Sequence, residues 1–366
     1  MNISRGIIIL VLLSSAVYAD NSSEVDRNTS TQSTQDEFNY IDDTHRSISG
    51  TVVEWADKID TKISSWLGNM EDNSTRVTPR VLDASSTSLE NQVKLADAFF
   101  QSNKYLNETE DIYIRVRTGA TFESKYSEDY EFKLSAQIPF SKSKKYLKIF
   151  INDVTVDNTK GVLAGDLDDD KVDPNLGINY FAPEKYGINS KYALGLSGTD
   201  PFVSARYNMP IKTNEWLIDP VQIFRYSLDD EFEEETNIYF DRQFKERSLF
   251  RLQLHRKTQE ILDGMDYALS LQYYWSNKEK TGLGFSQTFF GNTEYHYTID
   301  KFAPIPHIET FGGINNYVTA FTWRANIWRD WFYYEVRPSV NFHIENDYKP
   351  NYAVRLIFDF YFGQYH

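Results

Sequence analysis

From Asp111 to the end of the chain, apolar side chains recur at every second position over segments of about ten residues or more. Ile112, Ile114 and Val116 alternate with Tyr113, Arg115 and Arg117. Tyr130, Phe132, Leu134, Ala136 and Ile138 alternate with Glu131, Lys133, Ser135 and Gln137. In the closing segment Tyr352, Val354, Leu356, Phe358, Phe360 and Phe362 oppose Arg355, Ile357, Asp359 and Tyr361. A period of two describes a strand with two unlike faces. Strands of soluble sandwiches usually run about five or six residues. Longer strands with one apolar and one charged face are the pattern of a transmembrane β-barrel. The reading is therefore an all-β transmembrane barrel of antiparallel strands.

About fourteen such segments fall between residues 111 and 362, and the strand number of a single-chain bacterial barrel is even. The connections test the count. Residues 141–144, 183–186, 210–213, 245–246, 277–279 and the turn at Arg329 are short. Residues 157–173, 227–231, 291–313 and 345–350 are long or acidic. Short and long alternate as periplasmic turns and extracellular loops should. Twelve and sixteen strands are the alternatives.

The N-terminus reads as an export address. Arg5 precedes the apolar run Gly6–Leu13, which is too short to span a bilayer, and Val17-Tyr18-Ala19 fits signal peptidase, with cleavage expected after Ala19. Residues 20–46 are polar and read as a flexible leader. Residues 47–110 read as a periplasmic helical segment. In it Ile48, Val52, Trp55, Ile59, Ile63 and Trp66 form one helical stripe, with Asp43 or Thr44 as its N-cap and Gly68 at its end. Leu89, Val93, Ala96, Phe99 and Phe100 form a weaker one. Such helices pack on the barrel mouth, plug the pore, or dock a periplasmic partner. The barrel then occupies residues 111–366.

Twenty-five Tyr, twenty-five Phe and seven Trp suit the aromatic girdles of a membrane barrel. Cysteine is absent, which excludes disulfides and thiolate metal sites. The net charge of −15 argues against nucleic acid as a partner.

The expected lumen face carries Arg115, Arg117, Lys133, Glu233, Glu235, Asp241, Arg251, His255, Asp266, Arg324, Glu335, Arg337, Arg355 and Asp359. Charges inside a barrel must be hydrated or paired. Mixed signs suit either a structural network of salt bridges or a selectivity path. Asp166, Asp168 and Asp170 alternate in one loop without the rest of an EF-hand pattern. They read as a solvated acidic loop, with weakly bound Ca2+ or divalent bridging to lipopolysaccharide as the alternative; no other cofactor is expected. Asn28 and Asn73 lie in acidic-x-Asn-x-Ser/Thr acceptor patterns. The six histidines, His45, His255, His296, His307, His343 and His366, show no pattern of a serine hydrolase, so no enzyme is expected.

Phe358, Phe360 and Phe362 match the terminal signal read by barrel-assembly machinery, although Gly363 to His366 follow it. Val53-Glu54-Trp55-Ala56-Asp57, Trp66-Leu67-Gly68, Ile114-Arg115-Val116-Arg117 and Leu134-Ser135-Ala136-Gln137-Ile138-Pro139-Phe140 resemble the region opening the barrel in a group of proteobacterial outer-membrane β-barrel proteins. So does Lys144-Lys145-Tyr146-Leu147-Lys148-Ile149. The resemblance covers roughly residues 50–155 and implies fold and location without a mechanism. The expectation is an outer-membrane barrel, in contact with lipid and lipopolysaccharide, that passes a small solute. A structural or interaction barrel closed by salt bridges is the second reading and an envelope-lipid enzyme the third.

Overall fold

A computed structural model describes residues 27–67, 112–139, 147–155, 175–299 and 307–364, except positions 246, 279 and 280. It also describes the helical positions Leu89, Val93, Ala96, Phe99 and Phe100. Ala19, the acidic loop with Asp166, Asp168 and Asp170, and Asn73 lie outside the described residues.

The strands are β1 Ile112–Glu123, β2 Asp129–Pro139, β3 Leu147–Thr155, β4 Asn175–Lys185, β5 Ile188–Ser197, β6 Asp200–Asn208 and β7 Trp216–Ser227. They continue as β8 Glu231–Lys245, β9 Ser248–Gln259, β10 Asp266–Lys278, β11 Thr281–Ile299, β12 His307–Arg329, β13 Phe332–His343 and β14 Asn351–Gln364. Each pairs antiparallel with its neighbours in sequence, and β14 returns to pair with β1, closing a barrel of 14 strands. A short strand, Ile211–Thr213, folds back on the start of β7 inside the turn after β6. Closure leaves no free sheet edge. The connections at one end are tight. Between β4 and β5, Tyr186 and Gly187 both take positive φ, 56° and 77°, the geometry of a two-residue hairpin turn. We call this the short-turn end.

Two segments depart from the sequence reading. Residues 291–313, expected as a loop, are mostly paired strand. β11 has 19 residues and β12 has 23, so this hairpin extends past its neighbours. Bulges beside Gly291 and between Asn292 and Tyr295 carry the pair through the Gly-rich stretch. His296 and Thr310, and Tyr297 and Glu309, then hydrogen-bond across it at 2.8 and 3.0 Å. The polar leader is also corrected, because helix α1 runs from Arg27 to Leu67 and takes in most of residues 20–46. Asp43 and Thr44 are therefore interior positions and not caps. No Pro or Gly interrupts the sequence between Arg27 and Gly50, so nothing local ends the helix there.

Contacts divide the chain into a unit ending at Ser47 and one from Ile48 onward. Within the second unit, the most buried positions of α1 are Ala56 and Asp60, about a quarter turn from the Ile48–Trp55 stripe. Trp55 is 68% exposed, and Ile63 and Trp66 lie on the same helix.

The barrel is polar inside and apolar outside. Inward-facing Asp219, Asp241, Arg251, Arg324 and Asp359 are fully buried, while outward-facing Leu194, Phe232, Phe285 and Phe358 are exposed. Soluble monomers rarely leave so continuous an apolar belt in water. No helix among the described residues is long and apolar enough to cross a membrane.

Candidate functional site: the lumen

The strand registers turn all fourteen predicted lumen charges to the inner face. The densest group spans β1, β12, β13 and β14. Arg117 grips Asp359 with two bonds, Nε–Oδ1 at 2.8 Å and Nη2–Oδ2 at 3.2 Å. Arg324 reaches the same carboxylate at 2.8 Å and Glu335 at 3.3 Å, with its guanidinium over the Tyr333 ring. Beside it, Glu131 holds Arg355 at 2.5 Å and Lys133 at 3.9 Å. Arg115 donates to the Ser135 hydroxyl.

The second group lies on β8, β9 and β10. Arg251 holds Asp241 through bonds of 2.6 and 3.1 Å. His255 lies 3.0 Å from the Asn237 amide oxygen and 3.7 Å from Glu235. Glu233 lies 3.8 Å from Lys257, and Asp266 accepts from the Asn292 amide. A buried charge left alone is costly, so pairing is what lets these residues face inward. Sequence reasoning passes over Lys257 and Asn237, although each sits in phase with a predicted lumen charge two positions away; Glu131 it places on the charged face of β2 without counting it among the lumen charges.

One part of the lumen wall is different. Toward the short-turn end an apolar and aromatic patch faces inward among polar neighbours: Leu217 on β7, Leu249 on β9, Tyr274 on β10, Tyr333 on β13, Tyr361 on β14 and Tyr113 on β1. Tyr113, Leu217, Leu249 and Tyr333 are each the second residue of their strand. The second residue of β11 is Gly282.

The described positions Leu89, Val93, Ala96, Phe99 and Phe100 meet this patch from inside. Val93, fully buried, packs with Leu217 and Leu249, joined by Leu89, Ala96 and Tyr274. Phe99 packs on the cluster of Tyr113, Tyr333 and Tyr361, its ring edge-on to Tyr333 at 6.1 Å. The Phe100 ring lies 4.6 Å from that of Tyr274. Gly282 completes the seat, since a Cβ there would stand 2.5 Å from the Phe99 ring and 2.6 Å from the Phe100 ring. Burying Val93 contributes roughly 1.5–3 kcal/mol and each aromatic pair about 0.5–1.5 kcal/mol.

The apolar patch has a signature in sequence that the two-residue period hides. There the alternation fails and both faces are apolar: Ile112-Tyr113-Ile114, Trp216-Leu217-Ile218, Tyr273-Tyr274-Trp275, Phe332-Tyr333-Tyr334 and Phe360-Tyr361-Phe362. Phe358, Phe360 and Phe362 themselves face outward, opposite Thr118, Val116 and Ile114 of β1. Against Phe100, on the side away from the short turns, lies a cavity of about 60 Å³, lined among others by Arg117, Gln272, Ser286, Thr322, Glu335 and Arg337. Among the described residues no group of three His, Asp or Glu side chains is placed to hold a metal ion.

No family model matches the chain, and no curated protein matches it. Solved structures that match are barrels. A KdgM porin in complex with disordered oligogalacturonate is 7% identical over 69% of this chain and 99% of its own, with a TM-score of 0.34. OmpT of Vibrio cholerae, described as expressed in the outer membrane, is 7% identical over 69% and 97%, with a TM-score of 0.42. The outer-membrane channel DcaP of Acinetobacter baumannii is 8% identical over 69% and 96%, with a TM-score of 0.41. At these values the likeness says nothing about what this chain carries or binds.

Proposed function

We propose that the protein is a bacterial outer-membrane barrel that passes small polar solutes and is held shut by its own residues 89–100. The exposed apolar belt supports a membrane site, and the short turns then mark the periplasmic end. The sequence resemblance to proteobacterial outer-membrane barrels points the same way. The single observation that carries the closing role is the packing of Val93, Phe99 and Phe100 on inward apolar side chains. A lumen lined by paired charges has no need of inward Leu and Tyr unless something apolar seats there, and Val93, Phe99 and Phe100 do.

The test is conductance in a planar bilayer. The full chain is expected to be closed for most of the time. A triple variant, Val93→Asp, Phe99→Ala and Phe100→Ala, is expected to give a steady open channel. A correctly folded triple variant that stays silent would favour the second reading, a barrel whose role is structural. The network of Arg117, Asp359, Arg324 and Glu335, which ties β1 to β12–β14, is the observation on that side.

A further inference from the structure

The chain as a whole is acidic, which by itself would draw cations. Inside the barrel the balance differs, because the carboxylates are already engaged. Glu131, Glu233, Asp241, Glu335 and Asp359 each face an Arg or Lys, Glu235 faces His255, and Asp219 accepts from the Asn208 amide. Two inward arginines are not so engaged. Arg225 lies over the Phe202 ring, 4.1 Å from its centroid, with two of its nitrogens buried and without a hydrogen-bond partner. Arg337 lines the cavity against Phe100 and forms no ion pair among the described residues. Its cross-strand neighbour is another cation, Arg355, whose own charge is taken by Glu131. Like charges directly opposite in a sheet destabilise it unless something negative lies between or beside them.

We infer that this cavity is an anion site, with Arg337 as its principal ligand and the solute class that of small carboxylates, phosphates or sulfates. A guanidinium offers such groups a two-pronged planar contact. Gln272, Ser286 and Thr322, which also line the cavity, supply neutral hydrogen-bonding groups around it. The cavity holds a few waters or a group of similar size. This inference rests on the reading of the barrel as a closed passage and names what that passage prefers.

The first experiment measures reversal potential in a KCl gradient across bilayers holding the plug-opened triple variant. Anion preference is expected despite the acidic chain. Adding Arg337→Glu is expected to lower the chloride-to-potassium permeability ratio about threefold or more. Cation preference in the triple variant, or a ratio unmoved by Arg337→Glu, would overturn the inference while leaving the passage intact. The second experiment needs no conductance. Crystals of the full chain soaked in sodium bromide are expected to show anomalous scattering at the Arg337 guanidinium, and Arg337→Gln crystals are expected to lose it. Absence of that peak in the unaltered chain overturns the site even if every barrel is silent.

Discussion

Two parts of one lumen wall follow opposite rules. On β1 and β12–β14 the inner face carries Arg117, Arg324, Glu335 and Asp359, locked to each other at 2.8–3.3 Å. Beside them β1, β13 and β14 turn Tyr113, Tyr333 and Tyr361 inward, to meet Phe99. Directional pairs join neighbouring strands and fix the shape of the wall. Apolar contacts lack direction and tolerate parting, so they suit a surface that must open and reseat. On the proposed reading, the charged part of the wall stays fixed and the contacts at the apolar part separate when the passage opens.

That contrast breaks most visibly at Asp359. Asp359→Asn leaves Arg117 and Arg324 buried without their shared carboxylate and is expected to cost about 3–5 kcal/mol in barrel stability, read from the unfolding midpoint in detergent. Its effect on closure is expected to be small. Val93→Asp reverses the pattern. It places a charge against Leu217 and Leu249, and is expected to open the channel while leaving the barrel's own unfolding midpoint near that of the unaltered chain. Gly282→Val is milder: the added carbons meet the Phe99 and Phe100 rings, and partial, flickering opening is expected in single-channel records. Trp55→Ala is expected to change stability by no more than about 0.5 kcal/mol, because the indole is 68% exposed. A large effect there would mean that the helix stripe takes part in closure.

The barrel is legible in the sequence because its cause is local. Side chains alternate between lipid and lumen at every second residue, so charge at Arg115, Arg117, Arg355 and Asp359 marks a face directly. Pairing is not legible. Arg324 and Asp359 are far apart in sequence and meet only because β12, β13 and β14 lie side by side in this register. In the Thr281–Arg329 hairpin, Gly291, Gly312 and Gly313 signal a loop where bulges in fact keep the strands paired. The start of the helix is hidden because Ser, Thr and Asn score poorly one by one, while nothing between Arg27 and Ser49 stops it. The seat of Leu89–Phe100 lies between these cases. Its spacing is visible, and its partners are visible as lapses in alternation, but which of them meet it is set by the three-dimensional packing.

The lack of cysteine makes the central claim directly measurable. Val93→Cys and Leu249→Cys, introduced together, place two thiols in one buried cluster. Oxidation of intact cells is expected to join them, keep the barrel closed in bilayers, and release it to open on reduction. No crosslink, with the thiol introduced by Val93→Cys labelled by a soluble maleimide as fast as an exposed site, would show that Val93 does not sit against Leu249 and would contradict the account.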